Sequence, residues 1–483
     1  MANRCPSCGG TLNFDIKKQK LVCEYCESEF DPDSIKEMQG AKETQEFGSE
    51  PAENEAGETI DAKIFTCPNC GAEVFATNLD AVEYCSYCGT FVTLESRLAK
   101  IQKPTYILPF TVTKEKCLEL YKAKLQKARF LPKDMKVENA EKTLRNTYIP
   151  FWVYTEKFNE GAHASFQTVE SWTSGNTKYT QEYDIDVQPN GTVDGVFFDA
   201  SATLDDRISE QIGNFSPDSL QPYNSSLMAG SYADVADVKP EVYNEDVYTK
   251  CSVAIGQQVK NDIAAQDRFS SDFRHHSSLS SVITKQNGAE YAKLEPKLAM
   301  LPVWFMTFKN KNRLCYAVIN GNTGKMFTEI PSDIKKYALV SLLLSIPIFC
   351  IFEFLFTLMP STVMLATGVV SLIMMICRLS ALKKLKKQEA RVDDKGFQTN
   401  YAPESIAIKD KNKKKFDFIL LVSIASILGC AYMIWSKMPN DILYYAVSFV
   451  SILATFLSVA SMVKAHNLSC SRPIPHFFEK RGA

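Results

Sequence analysis

The sequence has almost no excess charge of either sign and few histidines. Its 54 Lys and Arg residues nearly balance 56 Asp and Glu, which argues against a chain built mainly to bind nucleic acid. None of the five histidines has a metal-ligating or catalytic neighbour at a telling spacing. The stretch before Cys5 has no apolar segment, so we expect no signal peptide.

A nucleotide-binding loop is also missing. Gly321–Lys325 looks like one, but it is two residues short of the G-x4-G-K pattern, and Met326 replaces the required Ser or Thr. The runs Cys315–Ile319 and Met326–Ile330 flank it and resemble strands, which predicts a hairpin turn. A helicase or ATPase is therefore excluded, and we expect no enzyme.

Cysteine, by contrast, is abundant at 15 residues. Eight of them form two sets with the same spacing, and each member of the second set lies 62 residues after its counterpart: Cys5, Cys8, Cys23 and Cys26, then Cys67, Cys70, Cys85 and Cys88. Four thiolates from two C-x2-C knuckles can surround one Zn²⁺ tetrahedrally, so we predict two Zn²⁺, one for each set. Disulfides, redox dithiols and iron are the alternatives. Reduced zinc thiolates indicate the cytosol.

Each cysteine set predicts a small zinc ribbon, at 1–30 and at 63–98. The predicted hairpin strands are Thr11–Phe14 with Lys20–Val22, and Glu73–Phe75 with Val82–Tyr84. Units of this size cannot build an adequate core, so the metal must supply folding free energy. Glycine follows three of the C-x2-C knuckles, whereas Glu27 follows the fourth, which predicts a less regular turn there.

These ribbons resemble the zinc ribbons of rubredoxin-like and transcription-factor-type modules, a resemblance specific for metal but not for function. Residues 1–30 and residues 63–103 each carry four basic and four acidic groups. A four-thiolate zinc site adds two further negative charges, so nucleic acid is a poor partner. The remaining Cys117, Cys251 and Cys315 have no neighbouring base and are predicted to be buried, inert thiols.

Between and after the ribbons we expect an acidic flexible linker at 31–62 and a cytosolic α+β domain at 104–332. Three aromatic-proline segments predict strands with proline at a strand start or edge. Periodicity predicts helices at 113–128 and 253–268, and residues 151–200 read as a β-meander. The aromatic-proline segments are Tyr106–Phe110, Tyr148–Tyr154 and Leu301–Phe305.

The C-terminal third contains four apolar runs of about 20 residues, a length that matches a bilayer core. They predict transmembrane helices at 337–359, 361–380, 416–436 and 441–463. The loop 381–415 is rich in Lys and Arg, and basic residues also occur in the tail 464–483, so we expect both termini to be cytosolic. Glu353 lies within the first run, where it either snorkels toward water or serves a function.

The order of these parts resembles a bacterial family of zinc-ribbon membrane proteins that is common in Gram-positive genomes. The shared features are the two ribbons, the three aromatic-proline strands and Asn320–Lys325. Such proteins are often described as similar to a primosomal helicase, which the missing nucleotide motif does not support. The resemblance implies partners among SPFH (flotillin-like) and phage-shock-type proteins in membrane stress, and it implies no catalytic residues.

The expected fold is therefore multi-domain, with two small zinc-ribbon β domains, a cytosolic α+β domain and an all-α four-helix transmembrane region. The expected function is a non-enzymatic scaffold in the plasma membrane, whose ribbons recruit cytosolic or membrane-associated proteins. The first alternative is a membrane-tethered, nucleic-acid-binding regulator, which needs a basic face that the ribbons lack. The second is a transporter-like protein that uses Glu353.

Overall fold

A computed structural model of the chain provides the description that follows. It describes residues 4–35, 58–76, 84–90, 95–158, 163–187, 190–213, 215–264, 283–284, 296–310, 313–355, 365, 368–370, 372–380, 383, 424, 428–429, 431–432, 435, 441–475 and 477. Most of the predicted acidic linker and nearly all of the predicted basic loop at 381–415 lie outside these residues.

Strands outnumber helices among the described elements. They are β1 (Leu12–Asp15), β2 (Lys20–Cys23), β3 (Glu29–Phe30), β4 (Thr59–Thr66), β5 (Glu73–Ala76), β6 (Glu95–Gln102), β7 (Tyr106–Ile107), β8 (Arg145–Phe158), β9 (His163–Ser174), β10 (Thr177–Val187), β11 (Gly191–Asp199), β12 (Gln221–Pro222), β13 (Tyr232–Asp234), β14 (Ile283–Thr284), β15 (Lys297–Asn310), β16 (Arg313–Asn320), β17 (Met326–Thr328) and β18 (Arg472–Pro473). The helices are α1 (Lys114–Gln126), α2 (Val137–Thr143), α3 (Asp206–Ile212), α4 (Asn244–Ala264), α5 (Ile334–Leu355) and α6 (Asp441–Ser469).

The first ribbon is a small antiparallel sheet in the order β1-β2-β3. Leu12 pairs with Cys23 and Phe14 with Leu21, which confirms the hairpin predicted from the sequence. The sheet lies against the rest of the fold. The Phe14 N–H donates to the Ala229 carbonyl at 3.1 Å, and the Asn224 side-chain amide donates to the Pro32 carbonyl at 3.1 Å. Ribbon 1 is therefore attached to the body by hydrogen bonds and does not stand apart from it.

The strands of the second ribbon belong to a sheet that comprises 12 of the described strands. The main path of that sheet is β12-β7-β15-β8-β13-β5-β4-β6, and β11, β16, β17 and β18 pair to its side. β13 joins the ribbon to the body, because it pairs antiparallel with β5 and parallel with β8. β4 starts at Thr59 and β6 ends at Gln102, so the unit extends beyond both ends of the predicted 63–98 ribbon. The edge of the ribbon is thus also one end of the large sheet.

Two prolines lie inside central strands, and the prediction that proline would mark a strand start or edge was wrong for them. On one side of β8, pairing with β13 ends at Tyr148 and pairing with β11 begins at Phe151, so Pro150 falls in the gap. On one side of β15, Pro302 likewise falls between the residues paired with β7 and those paired with β16. The carbonyls of Pro150 and Pro302 face these gaps, so no ladder hydrogen bond needs the missing N–H.

The helices confirm part of the local prediction. α1 begins after Thr113, whose side chain accepts from the Lys116 N–H, and it buries Tyr121 and Leu125 as expected. α4 begins at Asn244, nine residues before the predicted start. The predicted meander at 151–200 contains β9 and β10 as a hairpin in a separate small sheet, while β11 pairs with β8.

The prediction of a four-helix transmembrane region was wrong. Among the described residues, no helix combines the length and apolar composition needed to cross a membrane. α6 runs six residues beyond the predicted boundary, through Lys464 and Asn467, and it buries Ser458 and Ser461. Much of the runs 361–380 and 416–436 lies outside the described residues. The expectation of a multi-pass membrane protein with cytosolic termini depended on these spans, so it was wrong as well.

The last turn of α6 and the tail that follows it are attached to the rest of the fold. Asn467 exchanges hydrogen bonds of 2.8 Å with the Ser332 backbone, and β18 then pairs with β16. Arg472 on β18 is buried and bonds to two acidic side chains, Asp205 at 2.6 Å and Glu329 at 3.0 Å. Burial opposes a charge on Asp205, but Arg472 and Arg207 outweigh it and lower the pKa of that carboxyl. The tail is therefore anchored by a buried ion cluster.

We predict that Arg472→Ala lowers the free energy of unfolding by about 3–5 kcal/mol, because it removes the nearest cation from the buried Glu329 and leaves only Arg207 at 4.0 Å. Lys116→Ala is the control, since it breaks the exposed Lys116–Glu119 pair and should cost at most about 1 kcal/mol. Denaturant titration of the two variants measures the difference. Equal losses would show that the cluster does not anchor the tail.

Candidate metal centres

The first four-cysteine cluster brings all its sulfur atoms within 4.8 Å of one another. Cys5 Sγ lies 3.6 Å from Cys26 Sγ, and Cys8 Sγ lies 3.5 Å from Cys23 Sγ. Cys5 and Cys23 are buried, whereas Cys8 and Cys26 are exposed. One side of this cluster therefore faces solvent.

The second cluster has the same geometry in a different environment. Its sulfur atoms also lie within 4.8 Å of one another, with 3.7 Å between Cys67 and Cys88 and 3.7 Å between Cys70 and Cys85. All four cysteines are buried. Both clusters thus contain every residue that the sequence predicted as a ligand.

The four knuckles share one backbone turn. In each, the first cysteine N–H donates to the carbonyl five residues later, and the N–H of the fourth following residue donates back to the cysteine carbonyl. That fourth residue has a positive φ in every case: Gly9 at 76°, Glu27 at 56°, Gly71 at 79° and Gly89 at 66°. The expected irregularity at Glu27 was therefore wrong. Glu27 adopts the same turn in a backbone conformation that costs a non-glycine residue about 1–2 kcal/mol.

The donor atoms fit a zinc ion. Four sulfurs held about 2.3 Å from a tetrahedral ion lie about 3.8 Å apart, close to the observed separations. In the second cluster the neighbouring thiol of Cys67 raises the pKa of Cys85 and lowers that of Cys88. Only part of the set can ionise without a cation, so metal binding would release protons.

The second cluster is fastened to the large sheet through its last knuckle. The Tyr87 hydroxyl donates to Asp234 Oδ2 at 2.5 Å, and the Tyr84 hydroxyl donates to the Thr307 carbonyl at 3.1 Å. In return, the Thr307 and Tyr316 hydroxyls donate to the carbonyls of Ser86 and Tyr87. The knuckle backbone is thus held by reciprocal hydrogen bonds from β15 and β16.

Asp234 is the polar centre of this contact. Its Oδ2 accepts from the hydroxyls of Tyr87, Ser201 and Thr203, and its Oδ1 accepts from the Val235 N–H. Burial raises the pKa of Asp234, and the bonds from the three hydroxyls offset part of that rise. The buried Asp234 carboxyl, on β13, is therefore hydrogen-bonded both to the last knuckle of ribbon 2 and to the loop that follows β11.

The duplication places a second tyrosine at the matching position of ribbon 1. Tyr25 precedes Cys26 as Tyr87 precedes Cys88, 62 residues later. Tyr25 is 77% exposed, whereas Tyr87 is 2% exposed. The last knuckle is packed against the large sheet in ribbon 2, whereas the corresponding knuckle of ribbon 1 is open to solvent. The 62-residue repeat contains this pair, but the sequence cannot say which tyrosine is covered.

The other residues that the sequence analysis singled out lie away from the two cysteine clusters. Cys117, Cys251 and Cys315 are buried as predicted, and burial raises the pKa of each thiol to about 12. Gly321–Lys325 forms the predicted hairpin turn, in which the Asn320 N–H donates to the Lys325 carbonyl at 2.9 Å. The side chain of Glu353, on α5, lies outside what the structure describes.

We predict that Tyr87→Phe lowers the free energy of unfolding by about 1.5–3 kcal/mol, because it removes a hydrogen bond to a buried carboxylate. Tyr25→Phe is the matched control at the duplicated position. An exposed hydroxyl contributes little, so that variant should stay within about 0.5 kcal/mol of the parent. Thermal or denaturant unfolding distinguishes them, and similar values would contradict the assigned role of Tyr87.

Comparison with known proteins adds a distant relative. No protein-family model matches the chain, and no solved structure matches it. The chain is 23% identical over 339 residues to the uncharacterized protein YdjG of Bacillus subtilis (strain 168), which covers 69% of this chain and 91% of that protein. That name states no function. The association with SPFH and phage-shock-type proteins stays a prediction.

Proposed function

We propose that the protein is a non-enzymatic scaffold that holds two Zn²⁺. It would bind a partner protein through the outer knuckle of ribbon 1, which is the Cys23–Cys26 turn that carries the exposed Tyr25. The two four-thiolate clusters would be structural sites, since each has four protein ligands and leaves no position for a reacting group. Ribbon 2 then maintains the fold, and ribbon 1 presents the binding surface.

The exposed Tyr25 is the observation that supports this proposal most strongly. Its duplicate, Tyr87, shows what such a knuckle binds: a buried carboxyl beside aromatic rings, with Phe305 at 5.5 Å and Phe477 at 6.1 Å between ring centroids. Tyrosine combines an apolar ring with a polar hydroxyl, and it is enriched where protein interfaces concentrate their binding energy. A partner of ribbon 1 would offer a similar carboxyl-bearing, aromatic pocket.

The charges of ribbon 1 support a protein partner over nucleic acid. Lys18 lies 2.6 Å from Glu29, Lys20 lies 3.9 Å from the same residue, and Lys17 lies 3.3 Å from Glu115. Each of these lysines therefore has a carboxylate next to it, and Lys18 and Lys20 share Glu29. A phosphate backbone would have to displace those carboxylates, which lowers its affinity.

We predict two zinc ions per chain in protein purified under reducing conditions. The Cys67→Ser and Cys70→Ser double variant, and separately the Cys5→Ser and Cys8→Ser double variant, should each hold one. Cys377→Ser, which alters an exposed cysteine outside both clusters, should retain two. Elemental analysis gives the ratio. A value near zero in the parent protein, or iron in place of zinc, would contradict the proposal.

Losing each site should have a different consequence. Without ligands in the buried cluster, the knuckle that bonds to Thr307, Tyr316 and Asp234 is no longer held, so unfolding should begin in the large sheet. Without ligands in the exposed cluster, the sheet should keep its protection and only ribbon 1 should lose it. Hydrogen exchange of the two double variants measures this. Matching patterns would refute the division of roles.

We also predict that Tyr25→Ala abolishes partner recovery while leaving zinc content and thermal stability unchanged. The side chain is exposed, so its removal should not disturb the fold. Affinity purification of the full chain from its own cells, with Tyr179→Ala as the exposed-tyrosine control, tests this. The same preparations are assayed for DNA and RNA retention at several salt concentrations. Salt-sensitive nucleic-acid binding, with proteins equally recovered by both variants, would favour the regulator instead.

A further inference from the structure

β6 is a free edge of the large sheet among the strands that the structure describes. It pairs with β4 on one side, and no other described strand pairs with it. The strand is eight residues long, which suffices to accept another strand along its length. Leu98 in its middle is 82% exposed. An open strand of this length is a template for pairing with another chain.

The register shows which backbone groups this edge offers. The Lys103 N–H donates to the Glu58 carbonyl at 2.8 Å, so positions 103 and 58 form a hydrogen-bonded pair. Such pairs alternate along an antiparallel ladder, which assigns Ile101 and Ala99 to the β4 side. The N–H and C=O groups of Leu98, Lys100 and Gln102 consequently point away from β4, toward the open edge.

A cavity of about 240 Å³ lies beside the same strand. It is smaller than typical small-molecule pockets and large enough for one leucine or phenylalanine side chain. Its apolar lining includes Ile64, Phe75, Ala99, Ile101, Leu298 and Met300. Peptides that extend a sheet take affinity from the backbone and specificity from pockets for alternate side chains. The edge and the cavity supply these two elements together.

The charges around the cavity indicate the partner. Glu73 bonds to Arg97 at 3.1 Å, and Asp234 already accepts three hydroxyl hydrogen bonds. Lys100 is exposed and forms no ion pair with any residue in the described parts of the chain. A second copy of this chain would bring a second Lys100 to the same edge. Asp61 lies opposite Lys100 on β4, and an acidic segment on the open side would bring a second carboxylate to Lys100.

We propose that β6 binds an extended acidic segment of a partner protein as an added strand, with one large apolar side chain of that segment in the cavity. The inference rests on the proposed scaffold function and adds a second contact surface to the knuckle of ribbon 1. The added strand completes the sheet, and the cavity selects the residue that it carries.

The test uses the full zinc-loaded chain and synthetic probes. The probe is a fluorescein-labelled peptide of eight residues that alternates threonine and glutamate around one central phenylalanine. Matched peptides replace phenylalanine by alanine, replace glutamate by lysine, or carry N-methyl groups on alternate amides. Fluorescence anisotropy measures each affinity, and light scattering reports the oligomeric state of the chain.

Leu98→Pro should weaken binding of the phenylalanine peptide at least tenfold, because proline removes an N–H that faces the open edge. Ala99→Met fills the cavity and should weaken the phenylalanine peptide more than the alanine peptide. Lys100→Glu should reverse the preference toward the lysine peptide, whereas Lys122→Glu, the same charge change on α1, should leave it unaltered. The N-methylated peptide should bind at least tenfold more weakly than its parent.

Binding that survives both Leu98→Pro and N-methylation would overturn the proposal, as would the absence of binding to every peptide. Self-association that Leu98→Pro abolishes would assign the edge to a second copy instead. If Leu98→Pro fails to fold, Lys100→Glu and the N-methylated peptide still decide the question. Recovery of a cellular partner that Tyr25→Ala abolishes and Lys100→Glu preserves would refute this inference and leave the scaffold function intact.

Discussion

The docking of the second cysteine knuckle on the large sheet is the contact on which the rest of the fold depends. The knuckle is too small to have a core of its own, so it combines metal ligands with contacts to the sheet. Asp234 receives the Tyr87 hydroxyl, and the side chains of Thr307 and Tyr316 reach back to the knuckle carbonyls. Metal-site geometry and sheet geometry are therefore determined together.

The C-terminal segment is fixed to this same place. The Phe477 N–H donates to the Cys70 carbonyl at 2.7 Å, and its ring contacts Tyr87. A few residues earlier, Arg472 bonds to Asp205 and Glu329 in the buried cluster. Ribbon 2 and the C-terminal segment around Arg472 and Phe477 thus meet on one sheet. A substitution that disturbs ribbon 2 should therefore destabilise the C-terminal segment, and the reverse, because both pack against the same buried aromatic and hydroxyl groups.

Local features of this fold followed from local sequence patterns, and the larger connections did not. The cysteine spacing, the hairpin that contains Leu12, the helix predicted at 113–128 and the Gly321–Lys325 turn each depend on neighbours within about 20 residues. Insertion of β5 beside β13 joins residues more than 150 positions apart, and no periodicity signals that pairing. Pro150 and Pro302 misled for the same reason, since only the partner change on one side of each strand makes them acceptable. The apolar runs misled because composition alone does not fix how a helix ends or what it contacts, as α6 shows.

The duplicated ribbon has been used in two different ways. Copy two keeps glycine at its last turn, buries all four cysteines and turns its tyrosine inward. Copy one places Glu27 in that turn, exposes two cysteines and turns Tyr25 outward. Because the turn geometry is the same, the two knuckles have one backbone shape, and the surrounding structure decides what each of them contacts. Strain at Glu27 is tolerable because zinc ligation by Cys23 and Cys26 would hold the turn from both sides. A knuckle whose shape would be held by a bound ion rather than by packing can leave its outer face free for recognition.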